Sequence, residues 1–208
     1  MERLKIGVLL SGGGTNLQSI LDRIDQGSLL GEVVFIGANK KEAYGLTRGR
    51  KRGIPTAVFE RKDFPTKDQR DRALLKALKA HQVDLVVLAG YLGQIPNFII
   101  EAYPQKIINI HPSLLPCFGG KGYYGEKVHQ GVYDRGMKVT GATVHFVSEE
   151  TDGGPIILQE TVAIDFEDSV SDIQEKVLKI EHRLLPEAIE LIAKGRVSVV
   201  GRRVMVNG

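Results

Sequence analysis

The chain has 208 residues, 42% of them apolar and 25% charged, the balance of a soluble globular protein able to bury a substantial core. Its net charge of +3 is spread along the sequence, too little to argue for nucleic acid but compatible with anionic small molecules. One cysteine, Cys117, excludes an internal disulfide and any multi-cysteine metal site, and no apolar stretch approaches the length of a membrane span.

The start, Met1-Glu2-Arg3-Leu4-Lys5, leads straight into an apolar run, so no signal peptide is expected and a cytoplasmic location is. Residues 5–10 predict a first strand, ended by Ser11-Gly12-Gly13-Gly14. Leu17, Ile20, Leu21 and Ile24 then recur at helical spacing. Residues 32–37 predict a second strand, 43–52 a helix closed by Gly53, and 56–59 a third strand. A charged helix over 68–81 turns Leu74, Leu75 and Leu78 inward. The run Asp-Leu-Val-Val-Leu-Ala at 84–89 is apolar on both faces, which implies a central strand of a parallel sheet covered by helices. Residues 107–110 predict another.

Past residue 120 the pattern changes. Residues 138–147 and 155–164 predict two longer strands, antiparallel to each other. Val170, Ile173, Val177, Ile180 and Leu184 mark a long amphipathic helix, with a kink or break expected at Pro186. Weak alternation over 197–206 predicts a terminal hairpin. The expected architecture is α/β: a doubly wound, mostly parallel Rossmann-like sheet with antiparallel C-terminal strands and a long C-terminal helix, all in one domain.

Ligands of such sheets bind beyond the carboxyl ends of the strands. Three polar signals fall at that edge. The first is Ser11-Gly12-Gly13-Gly14-Thr15-Asn16, where glycines let backbone N–H groups approach an anion and a helix N-terminus favours negative charge. It is neither a dinucleotide fingerprint, since Leu17 holds the third glycine position, nor a triphosphate loop, since no Gly-Lys-Thr/Ser run exists. A phosphate cradle of Gly14, Thr15 and Asn16 stands beside a plainer reading, a tight turn in which Thr15 or Asn16 caps the helix.

The second signal is Asn109-Ile110-His111-Pro112, where Asn109 and His111 sit two residues apart at a strand end and so face one side. The third is Asp152, in Asp152-Gly153-Gly154-Pro155. Amide, imidazole and carboxylate form a set able to polarise a carbonyl and move a proton. The plainer alternative is a capped strand end with a structural Asn and a surface Asp. His81, His129, His145 and His182 carry no such partner in sequence and read as ordinary core or surface residues. No histidine pair has metal-ligand spacing, so no metal is expected.

Ser-Gly-x-Gly-Thr-Asn-Leu at 11–17, Leu-Ala-Gly-Tyr at 88–91, Asn-Ile-His-Pro-Ser-Leu-Leu-Pro at 109–116, and Thr-Val-His-Phe-Val with Asp-Gly-Gly-Pro-Ile at 143–156 together resemble the phosphoribosylglycinamide formyltransferase (GAR transformylase) family. The resemblance covers nearly the whole chain in order. It implies direct transfer of a formyl group from 10-formyltetrahydrofolate, a co-substrate, to the amine of glycinamide ribonucleotide in de novo purine (IMP) biosynthesis. It implies that His111 acts as imidazolium donor and proton shuttle, that Asn109 donates to the same oxyanion, and that Asp152 pairs with His111 and favours its charged form. Gly14, Thr15 and Asn16 would hold the ribose phosphate, and Glu181 would contact the ribose; a solvated helix carboxylate is the other reading of Glu181.

The same resemblance assigns folate contacts to Lys67, Leu92, Gly93, Gln94, Ile95 and Asn109, with the loop at 148–152 as further lining. Here the sequence departs from the family's Met-Arg-Ile-Leu, with Gly93 in place of the Arg. Lys67 stands where the family has Arg, keeping the charge but not the planar fork; an ordinary surface lysine is the alternative. A phosphate-binding half of about 1–105 and a folate and catalytic half of about 106–208 follow. The expected partners are two small molecules, with no nucleic acid and no membrane, for a monomer or homodimer. Three rivals are disfavoured. Formyltetrahydrofolate hydrolases carry an extra N-terminal domain, methionyl-tRNA formyltransferases need a C-terminal domain and an RNA surface, and a non-catalytic phosphate sensor would not need Asn109, His111 and Asp152 together.

Overall fold

β-Branched and leucine runs with no polar face become buried strands here, as hydrogen-bonded ladders require when helices cover both sides. The computed structural model describes residues 3–207, so Met1 and Glu2, expected to lead into the first strand, lie outside the described residues. Two compact units divide the chain, Met1–Ile108 and Asn109–Gly208.

In the first unit, β1 (Leu4–Leu10), α1 (Thr15–Asp25), β2 (Gly31–Ala38), α2 (Tyr44–Arg50), β3 (Thr56–Val58), α3 (Lys67–Ala80), β4 (Leu85–Leu88) and α4 (Asn97–Ala102) follow one another. The strand order is β3-β2-β1-β4, and every pair that β1 and β2 make there is parallel. All four residues of β4 are buried, as are Leu17, Ile20 and Leu21 of α1 and Leu74 and Leu78 of α3. Thr66 caps α3, its side chain accepting from the Gln69 N–H at 3.1 Å. Helix α4, only six residues long, was not visible as a periodic pattern.

The strand β5 (Ile107–His111) leads into the second unit, which continues with α5 (Glu126–Asp134), β6 (Val139–Phe146), β7 (Ile156–Ala163), α6 (Val170–Ala193), β8 (Val197–Val200) and β9 (Arg203–Val206). The order there is β5-β6-β7-β9-β8. β6 and β7 pair antiparallel, β8 and β9 form the expected terminal hairpin, and β9 joins β7 in parallel. Ser169 and Asp172 close a capping box at the start of α6. The expected break at Pro186 does not occur: α6 runs through it for 24 residues. Leu184, Leu185, Pro186, Ala188 and Ile189 are all buried, so packing of this turn offsets the hydrogen bond that proline cannot donate.

The chain therefore has the mostly parallel α/β architecture, antiparallel C-terminal strands and long C-terminal helix expected of it. Among the described residues no helix is long and apolar enough to cross a membrane.

Candidate functional site

Gly14 sets the shape of the first polar element. Its φ of 70° places it in the left-handed region, and it precedes α1 as N-cap without any side-chain cap hydrogen bond. The reading in which Thr15 or Asn16 caps the helix is therefore set aside. A Cβ at Gly14 would lie 2.6 Å from the Gly45 Cα, a backbone atom, so the loop and α2 touch too closely for any side chain.

Helix α2 also takes up the loop's carbonyl groups. The Gly45 N–H donates to Gly12 O at 3.1 Å, and the Arg48 Nε–H donates to Gly13 O at 2.9 Å. Arg48 is itself placed by Gln18 Oε1 at 2.9 Å and by stacking on the Tyr44 ring. With those carbonyls engaged and no side chain on the first turn's N–H groups, the loop offers donors to an anion. Thr15 is exposed and Asn16 is buried.

The same loop start is tied to the segment assigned to folate. Ser11 donates its N–H to Gly90 O at 3.1 Å, and its hydroxyl accepts from the Leu92 N–H at 2.8 Å. Leu92 and Gln94 are exposed, whereas Ile95 is buried in the core, so its side chain serves packing. A Cβ at Gly93 would meet the Tyr91 ring at 2.6 Å. That ring occupies the space a side chain at 93 would need, so any side chain there requires Tyr91 to move. Lys67 is the exposed first residue of α3.

In the second unit, β5 and β6 present a polar group in which His111 and His145 are buried and Asn109 is half-buried. Asn109 Nδ2 lies 3.1 Å from His145 Nε2. Asp152 faces two imidazoles, with His111 Nδ1 3.7 Å from its Oδ2 and His145 Nε2 3.7 Å from its Oδ1. Those separations are ion-pair distances, longer than a hydrogen bond. Asp152 Oδ2 accepts a hydrogen bond from the Gly120 N–H at 2.8 Å. His111 Nε2 lies 2.8 Å from Phe118 O; a carbonyl can only accept, so Nε2 carries the proton. The glycine-rich loop after Cys117 thus holds two members of the group through its backbone. Asn109, His111 and Asp152 are brought together, and Asp152 is not the surface carboxylate of the plainer alternative.

Glu181, on α6, is 8% exposed, so the solvated-carboxylate reading does not hold.

His145 is the residue sequence reading missed. It reads as an ordinary histidine alone, but on β6 it lies two residues from Thr143, and i, i+2 positions share a face. Thr143 is fully buried; its hydroxyl donates to Ser113 O at 2.6 Å and accepts from the Leu115 N–H at 3.1 Å. Gln159 Nε2 donates to the Thr143 hydroxyl at 3.0 Å and to Leu115 O at 2.9 Å. The run after His111 is thereby pinned to β6. Burial holds the His145 pKa below the ordinary histidine value, against the raising influence of Phe146 O and Asp152 and with a further lowering from His111. His129 on α5 is pushed down to about 4, first by burial and then by His111. Among the described residues no cluster of three or more His, Cys, Asp or Glu is arranged to hold a metal ion.

This geometry meets its counterparts among known proteins. The family model described as formyl transferase matches residues 4–189. Phosphoribosylglycinamide formyltransferase of Haemophilus influenzae is 38% identical over 204 residues, covering 98% of this chain and 94% of that protein. The chloroplastic phosphoribosylglycinamide formyltransferase of Arabidopsis thaliana is 41% identical over 197 residues, covering 94% of this chain and 68% of that protein. The crystal structure of glycinamide ribonucleotide transformylase 1 from Symbiobacterium toebii superimposes with a TM-score of 0.94 at 42% identity, covering 100% of this chain and 95% of that one. The chain belongs to the formyl transferase family and is a formyl-transferring enzyme. Within that family it groups with the phosphoribosylglycinamide formyltransferases.

Proposed function

We propose that the chain transfers the formyl group of 10-formyltetrahydrofolate to the amine of glycinamide ribonucleotide in de novo purine biosynthesis. The amine nitrogen attacks the formyl carbon, and the carbonyl electron pair moves to oxygen. The Asn109 amide donates a hydrogen bond to that developing oxyanion, and His111 adds its positive charge beside it. The proton lost by the amine passes through His111 to the folate nitrogen that leaves, giving the formylated ribonucleotide and tetrahydrofolate. The His111 Nε2 proton rests on Phe118 O, so its use in catalysis requires that hydrogen bond to be shared or exchanged.

Gly14, Thr15 and Asn16 in the phosphate-binding half, about 1–105, would receive the ribose phosphate through backbone N–H groups, with Glu181 on the ribose. Lys67, Leu92, Gly93, Gln94, Ile95 and Asn109 would line the folate, Gly93 and Ile95 through backbone atoms. The observation that carries the proposal is the approach of Asn109, His145, His111 and Asp152 to one another on the strands and loop that follow residue 108.

The test is an assay of the purified chain with 10-formyltetrahydrofolate and either glycinamide ribonucleotide or water as acceptor. Formylated ribonucleotide is the expected product. Formate released at the same rate without the ribonucleotide would replace the transferase reading with a hydrolase.

A further inference from the structure

We propose that His145 is a positioning residue for the formyl transfer described above: its Nε2 lone pair fixes the Asn109 amide with the NH2 group, and not the oxygen, held inward.

The argument is one of donor and acceptor inventory. His145 Nδ1 lies 2.9 Å from Phe146 O, which can only accept, so Nδ1 carries the ring proton. Burial favours the neutral ring, and a neutral ring with Nδ1–H has a bare lone pair at Nε2. That lone pair faces the Asn109 amide at 3.1 Å. Turned over, the amide would set its oxygen against the lone pair, two acceptors in contact at a part-buried site. One N–H of the amide is therefore spent on His145, and its orientation leaves the second N–H for donation.

The groups facing His145 sharpen this. Asp152 Oδ1 stands 3.7 Å from the same Nε2. A proton on Nε2 would suit Asp152 and deprive Asn109 of its acceptor, releasing the amide. Burial and the nearby His111 oppose that proton. Phe146 thus acts at one remove: its carbonyl selects the tautomer, the tautomer selects the amide orientation, and the orientation supplies an oxyanion donor.

The first measurement is independent of activity. In the full-length 15N-labelled chain at neutral pH, long-range 1H–15N correlations of the imidazoles should show His145 protonated at Nδ1 and bare at Nε2. A proton on Nε2 overturns the inference, whatever reaction the chain performs. The second measurement uses kinetics with both substrates. His145→Phe should lower kcat by about 10- to 100-fold, the scale of a misaligned donor, and leave both KM values within about threefold. His145→Gln, whose side-chain oxygen can accept near the Nε2 position, should recover most of the loss. A His145→Phe variant with near wild-type kcat, or a folded His145→Gln variant as slow as His145→Phe, overturns it. A wild-type chain with no turnover sinks the formyl-transfer reading instead, and the tautomer measurement still decides the role of His145.

Discussion

The glycine loop of the first unit and the Asn109–His111–Asp152 group of the second are built in opposite ways. At the loop, Gly14 meets the Gly45 backbone too closely for a side chain, and the groups it can offer a ligand are backbone N–H groups. The second group is made of buried and half-buried side chains, each with a named partner. The difference sets how each region fails. A backbone cradle is broken by adding atoms; a side-chain group is broken by removing them.

Removal in the second group should have the largest effect. His111→Ala is expected to lower kcat by at least ~10², the usual scale for an acid–base or oxyanion group, with little change in KM for the ribonucleotide. Near-wild-type turnover would end the catalytic assignment.

Burial of side chains in that unit also predicts a pH cost that the loop does not share. His129 has its pKa lowered to about 4 in the folded chain, against 6.5 for the free group. The unfolded chain then binds a proton that the folded chain refuses. Stability is full above pH 6.5 and is lost as pH falls from there toward about 4, by up to ~3 kcal/mol. His145 contributes in the same direction. Urea melts at pH 7 and pH 4.5 should show the decline, and His129→Phe should reduce it. An unchanged slope in that variant would place the pH dependence elsewhere.

Addition at the loop comes next. Gly14→Ala puts a Cβ into a positive-φ site and against the Gly45 backbone. It should cost at least ~1 kcal/mol of stability and raise KM for the ribonucleotide about tenfold or more, while kcat falls less. Equal losses in kcat and KM would blur the contrast between the regions. The smallest effect is expected at Thr15→Ala. The side chain is exposed and makes no cap, so KM should move by less than about threefold, under ~1 kcal/mol. A large rise in KM would show that the cradle uses the Thr15 hydroxyl as well as backbone.

Period and composition were enough to read most strands and the long helices, because 84–89 has no polar face and Val170 to Leu184 keeps a strict helical stripe. The short helices α4 and α5 were not read as elements; in α4 the apolar residues Phe98, Ile99 and Ile100 form one run with no helical period. At Pro186 the helix continues where a break was one expectation, because Leu184, Leu185, Ala188 and Ile189 around it are buried. In the site, Asn109 and His111 were visible as neighbours on one strand. His145 was not, since its partners lie 36 residues back and on a loop, and pairing of β5 with β6 cannot be read from single-strand alternation. Gly119 and Gly120 carried meaning only once Asp152 was seen to rest on the Gly120 N–H.

Helix α2 contributes no residue expected to touch a substrate, yet Gly45 and Arg48 engage the Gly12 and Gly13 carbonyls of the loop. The competence of the loop is therefore tied to whether seven residues, Tyr44–Arg50, are folded at that moment. Such a short helix opens more readily than the core strands. By linkage, a phosphate-bearing acceptor that needs α2 closed must in turn hold it closed. Amide hydrogen exchange across Tyr44–Arg50 should slow when glycinamide ribonucleotide binds. The helix would then report occupancy, and substitutions on its outer face would tune acceptor affinity through the local opening equilibrium.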